Sequence, residues 1–147
     1  MIASALTSHD HVARWPQVRL DQFKALGGMD VEFMDALNRL CDIAEKRNGW
    51  THRINSDYRS GGRAGSMHRV GKAVDIVFYS RTPGDVDVWT QFDFAVGSRL
   101  MMRVGAYPFW NTPGLHVDTK PARLYWLCDE TGAYRYALEP DAVKELA

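Results

Sequence analysis

The sequence predicts an α+β domain, a mainly antiparallel sheet with two main helices packed on one side. Three observations carry that reading. Apolar residues recur at helical spacing in the first half of the chain, strand-like runs gather in the second half, and Pro and Gly turns separate those runs. The 147 residues suit a single domain, 1–147, with an irregular segment over about 1–18.

Up to Pro16 the chain has no clear period. A short helix is expected to begin near Asp21, a good N-cap residue, and to stop at Gly27-Gly28. Asp30 caps a stronger helix. Val31, Met34, Leu37, Cys41 and Ala44 make its apolar stripe, and Asn48-Gly49 supplies the stop signal. Residues 50–55 read as a strand running into a polar, Gly-rich loop at 56–65. Residues 73–79 form a second strand, with Val74, Ile76 and Phe78 on one face and Asp75 and Val77 on the other. A second main helix is expected over about 87–103, turning Trp89, Phe92, Val96 and Leu100 inward. Strands at 104–107, 115–119 and 123–128 complete the sheet.

Composition excludes several classes. Apolar residues are 46% and charged residues 24%, ordinary values for a soluble globular protein. Eighteen basic side chains balance 18 acidic ones, so nothing global favours nucleic acid or an anionic membrane as partner. Two cysteines cannot build a disulfide framework, and Cys41, on the apolar stripe, reads as a buried free thiol. With no C-x-x-C, any metal site must rest on histidines and carboxylates. The N-terminus lacks a basic, then apolar, leader pattern, and no apolar run reaches membrane-spanning length. The expectation is a protein cytoplasmic as synthesised, without membrane insertion and, by default, monomeric.

Two segments carry the candidate chemistry. In the first, a loop histidine, His68, precedes a strand carboxylate, Asp75, by seven positions, with Gly71 permitting a turn between them. In the second, His116 and Asp118 are two apart in a strand and so project together. Two imidazoles and one carboxylate make a catalytic zinc set that leaves a fourth position open. His9, His11 and His52 compete as ligands. The first two lie in the loose N-terminal segment, a weak metal scaffold, and His52 reads as structural or exposed.

The run Ile54-Asn55-Ser56-Asp57-Tyr58-Arg59-Ser60, then Ser66-x-His68-x-x-Gly71-x-Ala73-x-Asp75, then His116-Val117-Asp118, resembles the D-alanyl-D-alanine carboxypeptidase family. These are zinc peptidases of bacterial cell walls and phage endolysins, including L-alanyl-D-glutamate endopeptidases, related in fold to the hedgehog signalling domain. The resemblance spans about residues 20–127. It implies one zinc ion on His68, Asp75 and His116, and a peptidoglycan peptide as substrate. It places Arg59 at the substrate carbonyl or carboxylate, a task that suits a guanidinium's fixed fork. Ser66 falls beside the first ligand, as a substrate contact or a simple turn residue. Many relatives carry an acidic base three residues before the last histidine, where this chain has Pro113. Asp118 is then the candidate general base, or else a group that orients a ligand. Glu130 is a remoter candidate, reaching in from the following loop. Tyr107 and Trp110, in a Pro- and Gly-rich loop, are candidates to wall a peptide groove, while Trp126 reads as core packing. The resemblance suits a phage enzyme released to the wall, a tail-associated enzyme, or a cytoplasmic peptidase. A non-catalytic zinc-containing wall-binding or phage structural module is the alternative.

Overall fold

A computed structural model describes residues 1–147, a single α+β domain. Helix α1 (Ser8–Arg14) and short 3-10 turns at Leu20–Gln22 and Leu26–Gly28 precede α2 (Val31–Asn48). Strands β1 (Thr51–Ser56) and β2 (Ala73–Tyr79) flank the Gly-rich loop. Then come α3 (Val88–Ser98), β3 (Arg103–Tyr107), β4 (Gly114–Asp118), β5 (Leu124–Cys128), β6 (Tyr134–Ala137) and α4 (Pro140–Glu145). The sheet order is β1-β2-β4-β3-β5-β6, antiparallel except for the parallel β3–β5 pair. No helix is long and apolar enough to cross a membrane.

One face of the sheet is the core face. Ile54, Val74, Ile76, Phe78, Val104, Ala106, Leu115, Val117, Tyr125 and Leu127 point there and share one buried cluster with both main helices. In α2, Asp30 accepts the Phe33 N–H at 2.9 Å and Gly49 closes the helix at φ +67. Its stripe of Val31, Met34, Leu37, Cys41 and Ala44 is buried, and Cys41 is a free thiol.

Four expectations are corrected. Residues 1–18 are ordered: Thr7 and Asp10 form a reciprocal capping box that starts α1. After α1, fully buried Trp15 donates its indole N–H to Asp35 at 2.8 Å. The segment from Asp21 breaks into two 3-10 turns rather than a helix, and Asp21 caps neither. Helix α3 stops at Ser98 because Arg99 turns left-handed at φ +58. Its buried face is Val88, Gln91, Phe92 and Ala95, with Trp89, Val96 and Leu100 only partly buried. Gln91 accepts the Phe78 N–H at 2.9 Å and donates to the Pro113 carbonyl at 3.2 Å, joining α3 to β2 and to the approach to β4. Finally, β6 and α4 had no counterpart among the expected elements.

His52 is one of the buried polar residues of this core. Its Nε2 accepts the Arg19 N–H at 3.1 Å and stands 3.8 Å from Cys41 Sγ. Burial, then the nearby Arg19, pushes its pKa from 6.5 down to about 4, against a smaller opposing effect of Asp21. The folded ring is therefore neutral where the unfolded ring takes a proton. Stability from this group is fully present above pH 6.5 and is lost as pH falls towards 4, by at most about 3 kcal/mol. A His52→Gln variant keeps an acceptor for Arg19 but does not titrate. Urea midpoints measured from about pH 7 to 4.5 should fall less steeply in that variant. Equal slopes would refute the assignment.

Candidate metal centre

Strand register lines up one row of residues across the face opposite the core. Ser56, Asp75, His116, Gly105, Trp126 and Tyr136 are successive cross-strand partners from β1 to β6, and partners in register project to the same side. Asp75 and His116 thus arrive side by side from β2 and β4. His68 comes from the turn Met67–Val70, where Ser66 Oγ accepts the His68 N–H at 3.3 Å. Gly71 ends that turn at φ +71, and a Cβ there would strike the Gly28 carbonyl. Both the backbone conformation and the space call for glycine, and the turn aims His68 at Asp75.

The inner atoms are distinctive. His68 Nε2 and His116 Nδ1 lie 3.3 Å and 3.2 Å from the same oxygen, Asp75 Oδ1. All three donor atoms fall within 4.8 Å of one another. The outer nitrogen of each ring is already engaged: His68 Nδ1 with the Asp57 carbonyl at 2.9 Å, His116 Nε2 with Asp118 Oδ2 at 2.7 Å. A carbonyl and an ionised carboxylate only accept, so both outer nitrogens carry the hydrogen. In neutral rings the inner nitrogens then present lone pairs. Two lone pairs and a carboxylate oxygen converging in a largely buried place repel one another unless a positive charge sits among them.

Distances separate two kinds of contact here. The outer 2.7 Å contact has the length of a charge-assisted hydrogen bond, about 2.7–2.9 Å. The inner 3.2 and 3.3 Å contacts are longer. They match the edge of a tetrahedron with metal–ligand bonds of about 2.0–2.1 Å, an edge of roughly 3.3–3.4 Å. The group can hold a metal ion. Burial opposes charge at Asp75, His116 and Asp118, but their hydrogen bonds outweigh it. Asp75 is held at about 2 by His116 and His68. Asp118 is lowered by His116 and Arg103, and His116 is raised by Asp118 and Asp75.

Asp118 does not stand at an open position as a proton acceptor. It is fully buried. Arg103 donates through Nε and Nη2 at 2.7–2.9 Å, Lys120 N–H donates at 3.1 Å, and His116 Nε2 takes the remaining approach. Asp118 is therefore placed against the outer nitrogen of the His116 ring. Glu130, exposed on the β5–β6 turn, lines a different cavity. His9 is exposed, His11 bonds the Ala3 carbonyl and His52 belongs to the core, so none of them approaches the centre.

The centre opens into a cavity of about 380 Å³. Arg59, Ser66, Tyr107 and Trp110 all line it, and the rings of Tyr107 and Trp110 stack at 4.2 Å. Trp126 is placed on this face rather than in the core. Its ring lies 5.1 Å from that of His116, and its N–H donates to the Tyr107 hydroxyl at 3.1 Å. Gly105 makes room, since a Cβ there would strike the indole. Residues missed in the sequence include Arg103, Tyr134 and Tyr136. So is Asp57, whose carboxylate accepts the Lys24 and Ala25 N–H groups while its carbonyl holds His68. Asp57 belongs to the Ser-Asp-Tyr-Arg run, but the backbone carbonyl by which it holds His68 leaves no mark in a sequence. No protein-family model and no curated protein matches the chain.

Proposed function

We propose that the chain is a zinc-dependent peptidase acting on peptide bonds of the peptidoglycan stem or cross-link. The observation that carries this is the convergence of two ring nitrogens and one carboxylate oxygen at the floor of an open cavity, each ring held from behind. Two imidazoles and a carboxylate are a catalytic rather than a structural zinc set. When bound, zinc there supplies Lewis-acid polarisation of a carbonyl and acidifies water. The motif resemblance to cell-wall peptidases supplies the substrate class.

The chain's own residues supply position. The Asp57 carbonyl and Asp118 fix the ring tautomers, an arrangement that keeps lone pairs facing inwards. Arg59 lies at the cavity wall, where it meets a substrate carbonyl or carboxylate. Tyr107 and Trp110 form an apolar side against which a peptide packs. Purified protein incubated with peptidoglycan and muropeptides should release new amine termini, lose that activity to a chelator and recover it with zinc. Turnover that survives chelation overturns the reading.

One observation favours a second reading. Asp75 is the only carboxylate lining the cavity, so no acidic side chain is free to accept a proton there. A zinc-containing wall-binding or phage structural module accounts for that. It predicts stoichiometric zinc and muropeptide binding with no amine release.

A further inference from the structure

The cavity carries an excess of positive charge that the metal centre does not use. Three arginines line it, Arg59, Arg63 and Arg103, against the single carboxylate of Asp75. Arg103 is neutralised by Asp118 at 2.7 Å. Arg59 and Arg63 belong to no ion pair, in contrast to Arg14, Arg103 and Arg135. Both come from the Gly-rich loop after β1, four positions apart.

Arg63 is nevertheless held. Its guanidinium lies over the ring of Tyr134 at 5.3 Å, which carries the loop across to the β5–β6 hairpin. Tyr134 is 43% exposed and packs edge-on against Tyr107, the residue that stacks on Trp110. A cation above a ring face uses its π contact and leaves its in-plane N–H donors for another partner. Paired donors in a fixed fork match the two oxygens of a carboxylate. The ring also pre-positions a long side chain, which lowers the entropy lost on binding.

We propose that Arg63, seated on Tyr134, is a second carboxylate-binding residue of this cavity, beyond Arg59. The peptide that the site takes then bears an acidic group in addition to the one that Arg59 meets. This rests on the peptide-binding reading above and makes Arg63 a specificity-determining residue of that site.

The test uses the full chain and alanine tetrapeptides with one glutamate, in L or D form, walked through every position, each matched by its glutamine counterpart. Dissociation constants are read by calorimetry on zinc-free and zinc-loaded protein, so turnover is not needed. At one position the glutamate peptide should bind about tenfold more tightly than its glutamine partner, and Arg63→Gln should erase that difference. Arg63→Lys, which keeps the charge but not the fork, should retain part of it. Melting temperature controls for folding of the loop variants. Equal binding of both peptides at every position overturns the proposal, as does an Arg63→Gln loss that is the same for both. If muropeptides are not cleaved while the Arg63-dependent preference persists, the peptidase reading falls and the subsite stands. Cleavage without the preference has the opposite meaning.

Discussion

Zinc added to metal-free protein should raise its melting temperature by about 10 °C or more, and His68→Ala should abolish that rise. The three donors converge only in the folded chain, so binding energy is folding energy. At free zinc about a thousandfold above the dissociation constant the gain is roughly 4 kcal/mol, and each kcal/mol moves the midpoint of a domain this size by about 3 °C. His116→Ala should behave alike, because it removes the second lone pair facing Asp75 Oδ1. His9→Ala should keep the full rise, since that exposed ring is remote from the centre. Protons compete for the same lone pairs, so the zinc-dependent rise should shrink as the solution is acidified. Scanning calorimetry with metal analysis of the same samples makes the measurement. Wild-type protein that neither retains zinc nor gains stability from it would reduce the cluster to a hydrogen-bonded His–Asp–His group.

How much of this was visible in the chain itself depends on where each signal lies. Helix α2 was readable end to end because its stripe, its Asp30 cap and its Gly49 stop are all local. His68, Asp75 and His116 were readable as candidates because a loop, a turn and two strands carry them in short motifs. Helix α1 was not, because it buries none of its residues and so has no apolar period to find. Strand β6 failed for a similar reason: Tyr134, Arg135 and Tyr136 are all exposed, and their alternation marks the cavity side rather than a core side. The role of Asp118 was out of reach for another reason. It depends on Arg103, whose position opposite Asp118 is fixed only by the β3–β4 register. Nothing near Asp118 in the sequence reveals that its oxygens are already occupied. Gly105 and Trp126 pair by parallel register, which is likewise invisible until the strands are ordered.

Asp118→Ala should be the most damaging single change on this face. It leaves the Arg103 guanidinium, whose side chain is only 14% exposed, without its partner. Breaking a buried pair from one side costs about 3–5 kcal/mol, and an outer partner of a metal-bound histidine is worth roughly 10–100-fold in metal affinity. The variant should therefore lose both stability and zinc binding, and the two losses have separate causes. Stability falls because a charge is stranded, whereas zinc affinity falls because the His116 Nε2–H loses its acceptor and the ring is no longer held with Nδ1 inwards. A second variant separates them. Asp118→Leu combined with Arg103→Met removes both charges and fills similar volume, so much of the stability should return. Zinc affinity should stay low, because His116 still has no acceptor. Urea unfolding reads the first quantity and competition against a chromogenic chelator reads the second. If zinc affinity returns together with stability in the double variant, then Asp118 is a buried salt-bridge partner and nothing more. If it stays low in a protein that is otherwise well folded, the carboxylate acts on the metal through the ring of His116.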